Sequence, residues 1–373
     1  MLGVAALSTR ALAEAARDDG FEVIALDLFG DADTRRACSQ WASIGAPGSM
    51  HIDADRLLTS LRGLAQRGDV VGWIAGSGLE GRPELLAQGA ALLPLLGTQA
   101  DAVKRVRDSH AFFAFLDAEQ IAHPAVRATA LDDTAGWLIK DAHGCGGWHI
   151  RRAPVRSGEA MPPHHYFQRE MPGTPMSATF IADGREACVL GFNEQIVRSF
   201  GERPFVYCGV VGPVALAPDV AGRITAVVRA LTREFDLRGL CGLDFLLDDE
   251  TFGVLEVNPR PPASMALYGR GTMAAHVRAC LHGDLPRAPW LIVERTVAGT
   301  EIVYASRPLS LDSAAMQRLA QRPECHDLPA DATRFEAGDP VCSVSARGAG
   351  AAQVRALLER ARKAVEQSLE TAS

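Results

Sequence analysis

Hydrophobic and polar positions along the first quarter of the chain follow two alternating periods. Residues 9–18 have the spacing of an amphipathic helix, and residues 21–27 form a short apolar run typical of a buried strand. A second strand is predicted at residues 70–75, and the turn that follows it, residues 76–80, is placed to face a ligand. We therefore expect residues 1–97 to form a Rossmann-like layer of strands and helices.

Asp27 ends the strand at residues 21–27, where a dinucleotide-binding fold carries its ribose-binding acid. The glycine fingerprint that should precede such an acid is missing, since only Gly3 stands near the start. The sequence thus predicts that this layer binds no nucleotide.

Strand patterns dominate the rest of the chain. Residues 98–120 are predicted to form one amphipathic helix. Further elements are expected in this order: strands at residues 137–140, 148–150, 166–171, 177–182 and 187–192, a helix at 223–235, and a strand pair within 239–260. From about residue 284 prolines and a new strand series appear, which predicts a small C-terminal α/β domain over residues 284–373.

The strand pair within residues 239–260 carries acidic and amide side chains in apolar surroundings. Asp244 ends one apolar run, and Glu256 and Asn258 are two residues apart, so they point to the same face of a strand. Oxygen ligands of this kind suit a hard cation such as Mg²⁺. The alternative is a hairpin with charged residues on its solvent face. Glu256 argues against it, because a carboxylate within an apolar run is costly unless it is paired or binds a metal.

A lysine precedes a glycine-rich loop at the end of a predicted strand. Lys140 is followed by Gly144, Gly146 and Gly147, whose backbone N–H groups can approach anionic oxygens closely. The order is not that of a Walker A loop, and an exposed hairpin turn remains the alternative. Arg260 lies just beyond the strand pair and can hold a phosphate or carboxylate through two hydrogen bonds.

Composition narrows the class of protein. The chain has 373 residues and a net charge of −7, so nucleic acid is not expected as its main partner. No apolar run is long enough to span a membrane, and no signal peptide is expected at the N-terminus. The 8 cysteines form no CxxC pair, which favours reduced thiols and a cytoplasmic location.

Taken together, the ordered set of motifs resembles the ATP-grasp superfamily, in particular its carboxylate–amine ligases and the carboligases related to biotin carboxylase. Lys140, the glycine loop, the hinge-like segment 168–173 and the residues from Asp244 to Arg260 follow the family's order and spacing. The resemblance implies an ATP-grasp domain at residues 98–283. Within it, a glycine-loop subdomain would cover about 138–197 and a metal-binding part about 198–283. The flanks resemble a preATP-grasp domain and a biotin-carboxylase-like C-terminal domain.

The resemblance also implies roles for single residues. Lys140 would bind the α- and β-phosphates of ATP, and Arg260 would stabilise the transferring phosphoryl group, so both are catalytic candidates. The other candidates for ATP binding belong to the glycine loop and the adenine hinge: Gly144, Cys145, Gly146, Gly147, Gln168, Arg169, Glu170 and Met171. One or two Mg²⁺ ions, or Mn²⁺ in their place, would be held by Asp244, Glu256 and Asn258.

Three departures from the family pattern bear on function. Ser109 stands where many relatives have a second phosphate-binding lysine, unless Lys104 or an arginine substitutes for it. Residues 174–177, after the hinge, contain no ribose-binding acid. The residues that follow Asn258 lack the glutamine and Glu-His pair of biotin carboxylases, so bicarbonate and biotin chemistry is not expected.

The leading functional hypothesis is an ATP-dependent ligase that joins a small-molecule carboxylate and an amine through an acyl phosphate. A phosphotransferase that uses the same ATP site, and a nucleotide-binding regulatory protein without catalysis, remain as alternatives. Candidates for substrate specificity are Arg198, Arg203, Tyr207 and Arg270, with surface salt bridging as the alternative role of each arginine. A homodimer is compatible with the family.

Overall fold

The N-terminal region is a parallel sheet flanked by helices. A computed structural model describes residues 1–46, 50–129, 133–153, 162–287 and 296–370. The first elements are β1 (Leu2–Ala5), α1 (Arg10–Asp18), β2 (Val23–Asp27), α2 (Ala32–Ala37), β3 (Gln40–Ser43), α3 (Ala54–Ala65), β4 (Gly72–Ala75) and α4 (Pro83–Leu92). The strands lie in the order β3-β2-β1-β4, with β1 and β2 buried along their whole length. Full burial suits a parallel sheet covered on both faces, and it confirms the predicted Rossmann-like layer.

Asp27 stabilises this layer from within. Its Oδ2 accepts hydrogen bonds from the backbone N–H and the hydroxyl of Thr9, at 3.0 and 2.7 Å. Its Oδ1 accepts from the N–H groups of Phe29 and Gly30 and from Nε1 of Trp41, at 2.8–3.1 Å. The carboxylate is completely buried and saturated by its own chain, so it is a structural acid.

The central region begins with two helices where the sequence predicted one. They are α5 (Ala100–Arg107) and α6 (Ser109–Ala118). Asp108 lies between them in an extended conformation, and its side chain accepts a hydrogen bond from the N–H of Ala111 at 3.0 Å. The prediction of one helix over residues 98–120 was therefore wrong, because an N-terminal cap at Asp108 starts a new helix inside a continuous apolar period.

A small antiparallel sheet follows, in the order β5-β8-β6-β7. Its strands are β5 (Val126–Arg127), β6 (Trp137–Asp141), β7 (Ile150–Arg152) and β8 (His165–Arg169). The glycine loop joins β6 to β7, so it hangs from one edge of this sheet. Residues 154–161 of the predicted glycine-loop subdomain lie outside the described residues.

The large sheet is antiparallel throughout and runs in the order β13-β12-β9-β10-β11-β14-β18-β16 over the described residues. Its central elements are β9 (Thr174–Asp183), β10 (Ala187–Phe200), β11 (Arg203–Val214), α7 (Pro218–Phe235), β12 (Arg238–Asp248), β13 (Thr251–Asn258), a 3₁₀ helix (Ala263–Tyr268) and α8 (Thr272–His282). The strand β11 was not predicted. The strands β9 and β10 belong to this sheet, whereas the predicted glycine-loop subdomain extended to about residue 197.

The C-terminal region continues the large sheet. Its elements are β14 (Val297–Tyr304), β15 (Leu309–Leu311), α9 (Ser313–Ala320), β16 (Cys325–His326), β17 (Thr333–Phe335), β18 (Pro340–Gly348) and α10 (Ala351–Glu370). Gly209 of β11 pairs with Glu301 of β14, so the predicted boundary near residue 284 separates strands of one sheet. Residues 288–295 of the predicted C-terminal domain lie outside the described residues. No helix in the described ranges is long and apolar enough to cross a membrane.

Candidate active site

One large cavity, about 1800 Å³ in volume, lies where the N-terminal layer, the small sheet and the large sheet meet. Every residue that the sequence predicted for nucleotide, metal or catalysis lines it. These are Lys140, Gly144, Cys145, Gly146, Gly147, Gln168, Arg169, Glu170, Met171, Asp244, Glu256, Asn258 and Arg260. The fold thus brings together side chains that are up to 120 positions apart in the chain (140 to 260).

The antiparallel pair β12–β13 presents the three predicted metal ligands. Asp244 lies opposite Glu256, and Gly242 lies opposite Asn258. A bulge just before Glu256 shifts the register without separating Glu256 and Asn258, which still share a face. The Asp244 carboxylate accepts hydrogen bonds from Nδ2 of Asn258 and Nε2 of Gln195, both at 2.9 Å. Gln195 reaches the site from β10.

Two buried cations face Glu256 from the other side. Its Oε2 lies 3.9 Å from Nζ of Lys140 and 3.7 Å from Nη1 of Arg107. Burial alone would raise the pKa of Glu256, but these two charges outweigh it and lower the pKa below its usual value. Burial also favours the neutral amine of Lys140, yet Tyr166 and Glu256 raise its pKa, so it stays charged.

The negative charge of Asp244 is less well compensated than that of Glu256. Burial and the nearby charge of Glu256 raise the pKa of Asp244. Its direct partners are neutral amides, so positive charge would stabilise its ionised form. Carboxylate and amide oxygens fit a hard divalent cation. Within the described residues no group of three or more His, Cys, Asp or Glu side chains is placed to hold a metal, so phosphates would have to complete the coordination of a cation here.

Arg107, two residues before Ser109, is an arginine that the structure brings next to Glu256 and the glycine loop. It ends α5, is buried, and donates a hydrogen bond from Nη2 to the carbonyl of Gly144 in the glycine loop at 2.7 Å. Its Nε is buried without a partner, as is Nε2 of Gln168. Buried donors without partners are costly, and that of Gln168, which lines the cavity, would be satisfied by an anionic oxygen there. Lys104, the other possible substitute for the missing lysine, is exposed on α5.

Arg260 is held by an acid from the N-terminal layer. Its Nε and Nη2 each donate to Oε1 of Glu80 at 3.0 Å, and Nη2 also reaches Oδ1 of Asn258 at 3.1 Å. Burial would raise the pKa of Glu80, but Arg260 and Arg107 lower it. Glu80 therefore fixes the guanidinium beside the metal-ligand candidates.

The glycine loop lies directly against β11. Gly146 accepts a hydrogen bond from the N–H of Tyr207 at 3.0 Å. Gly147 has a φ of +77°, and a Cβ there would lie 1.9 Å from the carbonyl oxygen of Phe205. Only glycine fits this position. Burial raises the pKa of Cys145 to about 12, so its thiol stays neutral.

The predicted adenine hinge follows β8. Gln168 is buried and accepts a hydrogen bond from Nζ of Lys140 at 3.4 Å, so its side chain lies beside the lysine. Arg169 donates to the carbonyl of Ala135 at 2.6 Å, and Glu170 is paired with Arg152 at 3.3 Å.

Three of the four specificity candidates do not line the cavity. Arg198 pairs at 3.0 Å with the buried Glu301. Gln195 and Val197 of the same strand line the cavity, so strand alternation points Arg198 to the opposite face. Arg203 and Arg270 are also outside the lining, whereas Tyr207 is part of it. Sequence reasoning missed Glu80, Arg107 and Gln195. For Arg107, a buried position at the last turn of α5 was the available signal.

Residues 106–264 match the sequence profile of the ATP-grasp domain family. This part of the chain is an ATP-grasp domain. The similarity in fold to solved structures extends over the whole chain. The L-amino acid ligase of Bacillus licheniformis superposes with a TM-score of 0.67 over 97% of this chain and 96% of its own, at 13% identity. An N5-carboxyaminoimidazole synthase of Aspergillus clavatus, solved with ADP, superposes with a TM-score of 0.69 over 98% of both chains, at 14% identity.

Among curated proteins, the ATP-grasp domain is similar to the carbamoyl phosphate synthase large chain of Myxococcus xanthus. The two are 24% identical over 216 residues, which cover 51% of this chain and 20% of that protein. The chain spans between 10% and 42% of the length of the curated relatives that it matches. These comparisons show an ATP-binding fold shared with ligases.

Proposed function

We propose that this protein is an ATP-dependent ligase that forms an amide from a carboxylate and an amine. The observation that carries the proposal is the arrangement of charge in the cavity. Lys140 lines the cavity together with Asp244, Glu256 and Asn258, and Oε2 of Glu256 lies 3.9 Å from Nζ of Lys140 and 3.7 Å from Nη1 of the buried Arg107. A site of this kind neutralises a polyphosphate on one side and holds oxygen-bound metal on the other.

In the proposed reaction a carboxylate oxygen attacks the γ-phosphorus of ATP and ADP leaves. The amine nitrogen then attacks the carbonyl carbon of the acyl phosphate, loses a proton and displaces inorganic phosphate. Lys140 and Arg107 would bind the phosphates, and the N–H groups of the glycine loop would cover them. Mg²⁺, held by Asp244, Glu256 and Asn258, would neutralise charge between the phosphate oxygens. Arg260 would stabilise the transferred group from the position that Glu80 fixes.

The acid and amine would bind on the N-terminal side of the cavity. The chain adds β2 and β3 on one side of β1 and then β4 on the other side, so the strand order reverses between β1 and β4. Ligands of such parallel sheets bind at this point, outside the carboxyl ends of the strands. Leu7 and Ser8 follow β1 and Ser77 and Gly78 follow β4, and all four line the same cavity. The specificity residues would therefore come from these loops rather than from Arg198, Arg203 or Arg270.

The proposal is tested in two steps. Thermal unfolding is measured with an ATP analogue and Mg²⁺, each alone and together, and with NAD as a control; we expect the largest stabilisation from the pair. Release of ADP is then screened against panels of carboxylates and amines, and we expect it to require one of each. Release with bicarbonate alone would indicate a carboxylase, and a stable phosphorylated product in the mass spectrum would indicate a phosphotransferase. Nucleotide binding without ADP release under any pair would favour a regulatory protein.

A further inference from the structure

Trp148, at the end of the glycine loop, is half-buried and packs against the core of the C-terminal region. Its ring centroid lies 5.6 Å from that of Phe200 and 5.6 Å from that of Tyr304, and the latter two rings are 5.2 Å apart. The three side chains pack on the hydrophobic cluster that contains Val303 and Phe335. A loop that belongs to the small sheet is thus anchored by its tryptophan in another part of the protein.

The wall around this tryptophan fits the indole ring closely. A Cβ added to Gly338 would lie 3.3 Å from the six-membered ring of Trp148. The turn that carries Gly338 is fixed to the end of β14, since Gly338 donates to the carbonyl of Ala305 at 2.8 Å and Ala305 donates to that of Asp339 at 2.9 Å. Gly338 also has a φ of +92°, so a side chain there would be strained as well as crowded.

Backbone contacts bring the loop to the same place. The hydroxyl of Tyr304 donates to the carbonyl of Tyr207 at 3.0 Å, and the N–H of Tyr207 donates to the carbonyl of Gly146 at 3.0 Å. Tyr304 therefore holds both the strand under the loop and the ring at the end of the loop. The indole of Trp148 packs on Tyr304 of β14, and the backbone of the loop is hydrogen-bonded to Tyr207 of β11. The two attachments lie within a few residues of each other along the loop.

We propose that Trp148 is a positioning residue that holds the glycine loop down over the nucleotide phosphates by inserting into the pocket formed by Phe200, Tyr304 and Gly338. The inference rests on the proposed ATP site. It adds that Tyr304 and Gly338 of the C-terminal region, together with Phe200 at the end of β10, set how long a nucleotide stays bound, although none of the three is predicted to touch ATP. Loss of the indole frees the loop, so the nucleotide leaves faster while the phosphate-binding side chains remain in place.

The test measures release of a fluorescent ADP analogue with Mg²⁺ from the full chain by stopped flow. We expect Trp148→Ala to release it roughly tenfold faster, since aromatic contacts of this kind stabilise a closed arrangement to that extent. Trp148→Phe, which keeps an aromatic ring, should recover most of the slow release. Tryptophan emission gives a readout without nucleotide. The difference between the spectra of wild type and Trp148→Phe isolates the emission of Trp148. In Phe200→Ala the emission of Trp148 should shift to the red, because loss of the Phe200 ring exposes the indole.

Leu319→Ala is the matched control for lost stability. Leu319 is buried in the same C-terminal cluster but makes no ring contact with Trp148, so this change should lower the unfolding midpoint and leave release unchanged. Unchanged release in Trp148→Ala, or equal acceleration in Leu319→Ala, overturns the positioning role. Failure of the wild type to bind ADP overturns the proposed function and this inference together. Normal binding by the wild type with unchanged release in Trp148→Ala overturns the inference alone.

Discussion

Asp27 and the Asp244–Glu256 pair are acids on strands, yet their surroundings are opposite: Asp27 is fully buried, whereas Asp244 and Glu256 are half-buried and line the cavity. Asp27 accepts hydrogen bonds from Thr9, Phe29, Gly30 and Trp41 at 2.7–3.1 Å, all from its own layer. Glu256 lies 3.7 and 3.9 Å from its two cations, beyond ordinary hydrogen-bond distance. The fold itself satisfies the carboxylate of Asp27. Glu256 belongs to a site whose charged groups are not fully paired within the protein, so they remain available to a ligand.

The difference gives a way to separate structural acids from functional ones. A carboxylate saturated by backbone N–H groups fixes a loop and has no capacity for another partner. Carboxylates with raised or lowered pKa values, amide neighbours and donors without partners mark a place where a ligand completes the bonding. The same sequence signal, an acid at the end of an apolar run, precedes both.

The largest expected effect is that of Glu256→Gln. It removes a negative charge from the site proposed to hold metal, so we expect turnover to fall by roughly 10²–10³-fold while the unfolding midpoint changes little. The assay is ADP release at saturating substrates. Glu194→Gln is the control, because Glu194 lies outside the cavity and pairs with Arg355. Normal turnover in Glu256→Gln would remove this residue from the proposed metal site.

Asp27→Asn should have the reverse profile. An amide would turn N–H donors toward the N–H groups of Phe29, Gly30 or Trp41, so we expect the free energy of unfolding to fall by about 3 kcal/mol. The dissociation constant of ADP with Mg²⁺, measured by titration below the unfolding transition, should stay at the wild-type value. A large loss of ADP affinity in the folded variant would show that the N-terminal layer contributes to the nucleotide site.

Lys140→Ala should weaken binding of ADP roughly tenfold or more, because it removes a buried positive charge beside the phosphates. Lys104→Ala offers a close control, since it removes the same side chain from an exposed position on α5. Isothermal titration of both variants gives the comparison. Equal affinities for the two variants would contradict the phosphate role of Lys140.

Cys145→Ser should have the smallest effect, within about 0.5 kcal/mol of the wild type in stability and in the activation free energy. Burial raises the pKa of the Cys145 thiol to about 12, so the thiol is neutral at the pH of the assay. The fraction of reactive thiolate increases only as the pH approaches that value. Activity between pH 7 and 9 should therefore be the same for both proteins, as measured by initial rates. Complete loss of activity in Cys145→Ser would give the thiol a role that its geometry does not indicate.

Much of this fold follows from local pattern. The pair β12–β13 and the lysine that ends the buried part of β6 were visible because their signals lie within about twenty consecutive residues. The break at Asp108 was hidden, since the apolar period continues across it and only the cap bond to Ala111 reveals the new helix. The strand β11 was missed although it forms a tight hairpin with β10, in which Phe200 lies opposite Arg203. Only its pairing with β14, across nearly a hundred residues, leaves no local mark in the sequence.

The candidate site divides in the same way. Positions within the motifs of the family were predictable, and they converge on one cavity. Glu80 and Gln195 were not predictable, because each acquires its partner only when distant elements meet: Glu80 meets Arg260 and Gln195 meets Asp244. Arg198 shows the converse: it was a candidate for the cavity, but it follows Val197, which lines the cavity, so it lies on the opposite face of β10 and pairs with Glu301.

The hydrogen bonds between Glu80 and Arg260 join positions that are 180 residues apart. Their consequence concerns modularity. The first 97 residues look like an exchangeable unit, but one of their acids orients a guanidinium inside the neighbouring domain. A chimera that borrows this unit from a homologue keeps Arg260 in its present position only if the donor supplies a carboxylate on the loop after β4. Domain shuffling in this lineage is therefore constrained by a single shared ion pair as much as by the fit of two surfaces.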